Sequence, residues 1–130
     1  MTDALTIDHL EKHYPIGRGK LHAVDGVSFS IARGESVGLV GESGCGKSTL
    51  VRLVARLIDT TNGRILCHGA EIDHIPAKRF GSRPERAKIQ VVFQDPTDSL
   101  NPHFRVSESI ADPLTQLRRD LNKAAVQARV

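Results

Sequence analysis

An α/β fold is predicted by three features met in order along the chain: alternating strands near the start, a short continuous apolar run, and an amphipathic helix reached through a glycine-rich loop. Leu5 and Ile7 alternate with Thr6 and Asp8, and Val27, Phe29 and Ile31 alternate with Ser28 and Ser30. That period of two belongs to strands with one buried face. Gly34 and Glu35 turn the chain into Val37, Gly38, Leu39 and Val40, a run of the kind found in strands buried on both faces. From residue 47 to residue 58, Leu50, Leu53, Val54, Leu57 and Ile58 recur at helical spacing, with Arg52 and Arg56 on the other side, which predicts an amphipathic helix.

Asp59, Thr60, Thr61, Asn62 and Gly63 form a breaker cluster, after which Ile65 and Leu66 read as a brief strand and residues 89–93 as another. Residues 95–102 are turn-rich. Helical propensity returns from Val106, is interrupted at Pro113 and resumes around Leu117. There is no internal repeat. Residues 124–130 favour a helix yet show no glycine cap and no proline stop, so the chain is expected to be cut in mid-helix.

Composition narrows the class. A chain of 130 residues, 39% hydrophobic and 25% charged, has room for one ordinary core and has the balance of a soluble globular protein. The net charge of +3 and pI near 9.1 are mildly basic. The one basic cluster, Lys78, Arg79, Arg83, Arg86 and Lys88, has no interleaved aromatics; it reads as a solvated face, and no nucleic-acid partner is expected. Cys45 and Cys67 lack metal-ligand spacing and are expected as reduced thiols of a cytoplasmic protein. His9, His13, His22, His68, His74 and His103 are dispersed and read as surface or core residues rather than ligands. The start, with Asp3 and Asp8, is unlike a signal peptide. Every apolar run is shorter than the roughly 18–20 residues that cross a bilayer, so membrane association is expected only through a partner, with no direct insertion.

The chemistry concentrates at GESGCGKST, residues 41–49, which satisfies G-x-x-x-x-G-K-[ST] between a strand and a helix. Gly41, Gly44 and Gly46 allow the backbone to curl so that successive amides face an anion; Glu42, Ser43 and Cys45 contribute backbone between them. Lys47 brings a charge to β and γ oxygens, Ser48 a hydroxyl to Mg²⁺, and Thr49 continues the first helical turn, whose positive end faces the phosphates. The expected ligand is ATP with Mg²⁺.

A second string, VVFQDPTDSLNP, places Gln94 at the end of the predicted strand 89–93. Glycine loop, helix, and a strand running into Phe93, Gln94, Asp95 and Pro96 together resemble the ATP-binding subunits of ATP-binding cassette transporters. AVDGVSFSIARGESVGLVGESGCGKSTL, with FQDP followed by SLNP, is most similar to dipeptide and oligopeptide importers. The resemblance spans essentially all of residues 1–130, as the N-terminal portion of a nucleotide-binding domain: an antiparallel β subdomain, a P-loop NTPase (RecA-like) core, and the start of a helical subdomain. It implies that Lys47 and Gln94 are the catalytic residues, with Gln94 reaching the metal and the attacking water from the Q-loop and sensing a membrane subunit. It implies that Ser48 and Gln94 hold Mg²⁺, and that Tyr14 stacks on the adenine, an interaction worth roughly 1 kcal/mol. The partners it implies are transmembrane permease subunits, docked near residues 94–102, and a second ATP-binding subunit in a homo- or heterodimer. The location would be peripheral, on the inner face of the membrane.

The family also needs an LSGGQ signature, a Walker B aspartate with its glutamate, a D-loop and a switch histidine, and none occurs in this sequence. The domain is therefore expected to be truncated before the signature and the Walker B strand, and the 130-residue chain to be inactive alone. Val91, Val92 and Phe93 leading to Asp95 offer a rival Walker B reading, against which Gln94 interrupts the run and Pro96 closes it. Other functional classes are a P-loop kinase, with Arg83 and Arg86 as weak lid candidates, and an inactive nucleotide-binding module.

Overall fold

The computed structural model describes residues 3–94, 101–118 and 120–130. They form two compact units, residues 1–85 and 86–130. The first holds β1 (Leu5–Ile16), β2 (Gly19–Ile31), α1 (Lys47–Val54), β3 (Asn62–Cys67), β4 (Ala70–Glu71) and α2 (Ala77–Phe80); the second holds α3 (Val106–Leu117) and α4 (Lys123–Gln127).

The predicted antiparallel sheet is present, in the order β2-β1-β3-β4. Its strands are longer than the alternation suggested, because β1 and β2 make one hairpin about the turn at Gly17 and Arg18, with Ile16 opposite Gly19. The pairing carries irregularities: Leu10 faces Val27, Lys12 faces Val24 and His13 faces His22. One step along β1 thus matches two along β2, and extra residues of this kind bend and twist a strand. At the bend His9 takes φ 47°, and its amide donates to Ser28 Oγ at 2.8 Å. Gly63 on β3 lies against it; a Cβ there would come 2.3 Å from the His9 carbonyl oxygen, and its φ of 88° also favours glycine. Ile7, Leu10, Val24, Leu50, Leu53, Ile65, Ile72 and Phe80 are buried, each contributing about 1.5–3 kcal/mol through apolar burial.

Four sequence expectations are corrected. Residues 37–40 form no strand; Val37, Leu39 and Val40 are exposed, the last at 94%. Residues 89–93 likewise form no strand, and Val92 and Phe93 are exposed. A strand of the doubly buried type takes its amide partners from flanking parallel strands, and the sheet among the described residues contains only β1 to β4. The third correction concerns the helix after the loop, which ends at Val54, four residues early. Arg56 then adopts φ 55°, the left-handed conformation that closes helices, and helical periodicity stops applying. Arg56 is consequently buried at 2% exposure, while Leu57 is 48% exposed. Pro113, read as an interruption, instead lies inside α3.

Arg56 organises its surroundings. Its Nη2 donates to the Asp73 carbonyl at 3.1 Å, to Asp59 Oδ1 at 3.2 Å and to the Ile75 carbonyl. Burial pulls its pKa down from the ordinary guanidinium value, opposed by the charges of Asp59 and Asp73. Asp59 Oδ1 also accepts from the Ala77 amide at 2.7 Å, fastening α2. Arg56→Met strips the donor from the Ile58, Asp73 and Ile75 carbonyls and the partner from Asp59, and an expected loss of about 3 kcal/mol follows from leaving those acceptors without their donor. Urea unfolding by far-UV circular dichroism measures it; a change below about 0.5 kcal/mol would contradict the assignment.

Candidate functional site

The loop between residue 40 and α1 turns through left-handed glycines, Gly44 at φ 82° and Gly46 at φ 94°. Gly46 is the N-cap of α1. It lies against β2 so closely that a Cβ would fall 2.2 Å from the Ala23 carbonyl oxygen. Glycine is required there twice over, by conformation and by space. Among the described residues no side chain caps α1 and no acidic residue occupies its first turn, so no side chain offsets the positive end of the helix.

Lys47 opens the helix and folds back over the loop. Its Nζ donates to the carbonyls of Gly41 at 2.7 Å and Glu42 at 2.5 Å, and lies 3.5 Å from Cys45 Sγ. Cys45 is exposed, Cys67 is buried in β3, and no disulfide joins them. The loop around Lys47 forms one wall of a cleft of about 510 Å³. Residues 43–49 line it on that side; Tyr14, Leu21, His22 and Ala23 of the hairpin line the other. Tyr14 is 37% exposed, with Lys12 Nζ 5.1 Å from its ring centroid, a cation–π distance.

Tyr14 and residues 43–49 therefore share a single cleft, and Gly41 and Glu42 join the group through their carbonyls. Gln94 is exposed and belongs to the second unit. Asp95 and most of the proposed docking string, residues 95–100, lie outside the described residues. Leu21, His22 and Ala23 escaped the sequence reading. The signal was available: pairing about Gly17 and Arg18 sets Leu21 opposite Tyr14 and His22 opposite His13.

An amide-rich loop, a lysine folded over it and a helix start beside an aromatic ring define the class of P-loop nucleotide-binding domains. The family model described as ABC transporter matches residues 24–130, and the chain belongs to that family. It is 44% identical over 121 residues to the oligopeptide transport ATP-binding protein OppF of Bacillus subtilis, covering 93% of this chain and 38% of that protein. It is 39% identical over 135 residues to OppF of Salmonella typhimurium, covering 97% of this chain and 40% of that protein. Among solved structures it is similar to the dimeric post-hydrolysis state of the ATP-binding cassette MJ0796 bound to ADP and Pi, with a TM-score of 0.82 at 25% identity, over 96% of this chain and 53% of that one. The chain thus spans about two fifths of the length of these curated relatives.

Proposed function

We propose that the chain supplies the ATP-binding part of an importer subunit that hydrolyses ATP, with peptides or a related small solute as cargo. The observation that carries this is the cleft that joins Tyr14 to the lysine loop within one unit. The importer class and the peptide cargo are supported by relatives named as oligopeptide transport ATP-binding proteins. Residues 1–130 correspond in this reading to the β subdomain, P-loop, Q-loop and start of the helical subdomain. The family membership weighs against a P-loop kinase.

Each residue has a task in this reading. Tyr14 offers its face to the adenine. The amides of residues 41–49 and the start of α1 receive the phosphates, and Lys47 moves its donors from the Gly41 and Glu42 carbonyls to phosphate oxygens. The donor set fits Mg²⁺, since the Ser48 hydroxyl is exposed in the first helical turn beside Lys47. Mg²⁺, which Ser48 and Gln94 would hold, would supply positive charge against the charge that develops on the phosphates. Gln94 orients the attacking water. A second ATP-binding subunit completes the site, and permease subunits hold the assembly at the inner face of the membrane. No helix among the described residues is long and apolar enough to cross one.

Docking is testable at His103, which is exposed and lies next to the SLNP string. With the gene product co-expressed with its permease, a cysteine-reactive crosslinker on His103→Cys is expected to capture a permease cytoplasmic loop. Crosslinks to lipid alone would overturn the docking assignment.

A further inference from the structure

The six histidines are scattered in sequence, yet the hairpin gathers two of them with two carboxylates. His13 and His22 are direct cross-strand partners, and their ring centroids lie 4.0 Å apart. His22 and Asp25 are three residues apart, which in a regular strand would send them to opposite faces. The irregular pairing of β2 against Lys12 and His13 removes that alternation, and both reach the same place. Glu11 joins from β1, two residues before His13 and so on the same face.

The spacing of the ligand atoms is the informative part. His22 Nδ1 is 3.4 Å from Asp25 Oδ1, His13 Nε2 is 3.7 Å from Glu11 Oε2, and His13 Nε2 is 4.0 Å from Asp25 Oδ1. One ligand atom from each of His13, His22 and Asp25 lies within 4.8 Å of the others. Bonds of about 2.1 Å to a tetrahedral ion place ligand atoms about 3.4 Å apart, so the set needs to contract only slightly. His13 Nε2 is buried and makes no hydrogen bond among the described residues. A buried polar nitrogen of this kind requires a partner, and this one points at two carboxylates from just beyond hydrogen-bonding distance.

We infer that His13, His22 and Asp25 form a binding site for a divalent transition-metal ion of the Zn²⁺ class, with the Glu11 carboxylate beside it, 3.7 Å from His13 Nε2. Two imidazoles and carboxylate oxygens suit Zn²⁺ or Co²⁺ better than Mg²⁺, which prefers an octahedral shell of oxygens. The ion would tie β1 to β2 where His22 enters the wall of the cleft. This site is separate from the Mg²⁺ of the P-loop and stands or falls independently of nucleotide binding.

Titrating Co²⁺ into the nucleotide-free, Mg²⁺-free chain tests the inference, because the d–d absorption of the ion reports its ligands. One equivalent is expected to bind with nitrogen and oxygen ligation, without a thiolate charge-transfer band, and to be displaced by Zn²⁺. His22→Ala and Asp25→Asn alter exposed side chains and are expected to weaken binding by on the order of 30-fold or more, whereas His74→Ala, outside the cluster, leaves it unchanged. Far-UV circular dichroism verifies that each variant keeps its fold. Affinity within threefold of the parent for His22→Ala, or a charge-transfer band assigning the ion to Cys45, would overturn the site.

Discussion

Lys47→Ala is expected to lower the affinity for Mg²⁺–ATP by at least about a hundredfold. The ammonium makes charge-assisted hydrogen bonds, and each such bond to a charged partner contributes about 1.5–3 kcal/mol. Two bonds to phosphate oxygens lost together exceed the roughly 2.7 kcal/mol that corresponds to a factor of one hundred. Part of that gain is offset in the parent, because Lys47 must first leave the carbonyls of Gly41 and Glu42, 2.7 and 2.5 Å away. The offset is modest: those carbonyls are on exposed residues and water replaces the lysine. The variant should keep its fold, since Lys47 contacts the loop rather than the core. Titration with a fluorescent ATP analogue reads the change, with circular dichroism to verify the fold. Equal affinities in parent and variant would remove Lys47 from the phosphate site.

How much of this was legible in the sequence depended on whether a feature is local. The glycine loop was, because Gly44 and Gly46 answer to backbone conformation and Lys47 folds over the carbonyls of the same loop. Those demands are met within nine residues. The antiparallel strands were also legible, through alternation at residues 5–8 and 27–31. What failed needed partners from elsewhere. Residues 37–40 have the composition of a doubly buried strand, but composition supplies no flanking strand to accept their hydrogen bonds. Arg56 looked like a solvent-facing residue because helical spacing was carried past Val54, and the left-handed turn that buries it is a single-residue event no periodicity anticipates. His22 was missed because its neighbours arrive through register. The pairing of residues 13 and 22 is set by the turn at Gly17 and Arg18 and then altered by the irregularities of β2, so dispersed histidines became adjacent ones.

The 130-residue chain by itself is expected to turn over ATP at less than about 0.1 per second, two orders below the usual enzyme median near 10 per second. Phosphoryl transfer relies on positioning and on charge stabilisation around the γ-phosphate, supplied from several sides at once. The described cleft offers one side, through the lysine loop, α1 and Tyr14. The devices expected for the opposite side, a signature motif and a water-polarising glutamate after an apolar strand, have no counterpart in these 130 residues, so two copies of this chain are not expected to complete a site between them. The same residues bear on stability. Val37, Leu39, Val40, Val92 and Phe93 are exposed, and apolar segments with unpaired backbone favour association. A domain's net stability is only about 5–15 kcal/mol, so the chain is expected to melt at low temperature or to associate, even where it binds nucleotide. Phosphate release by monodisperse chain at millimolar Mg²⁺–ATP, alongside a thermal melt, measures both, with Lys47→Ala as the control for contaminating ATPases. Lys47-dependent turnover above about 0.1 per second would mean that γ-phosphate chemistry is supported by the loop face alone, and the requirement for a second face would have to be abandoned.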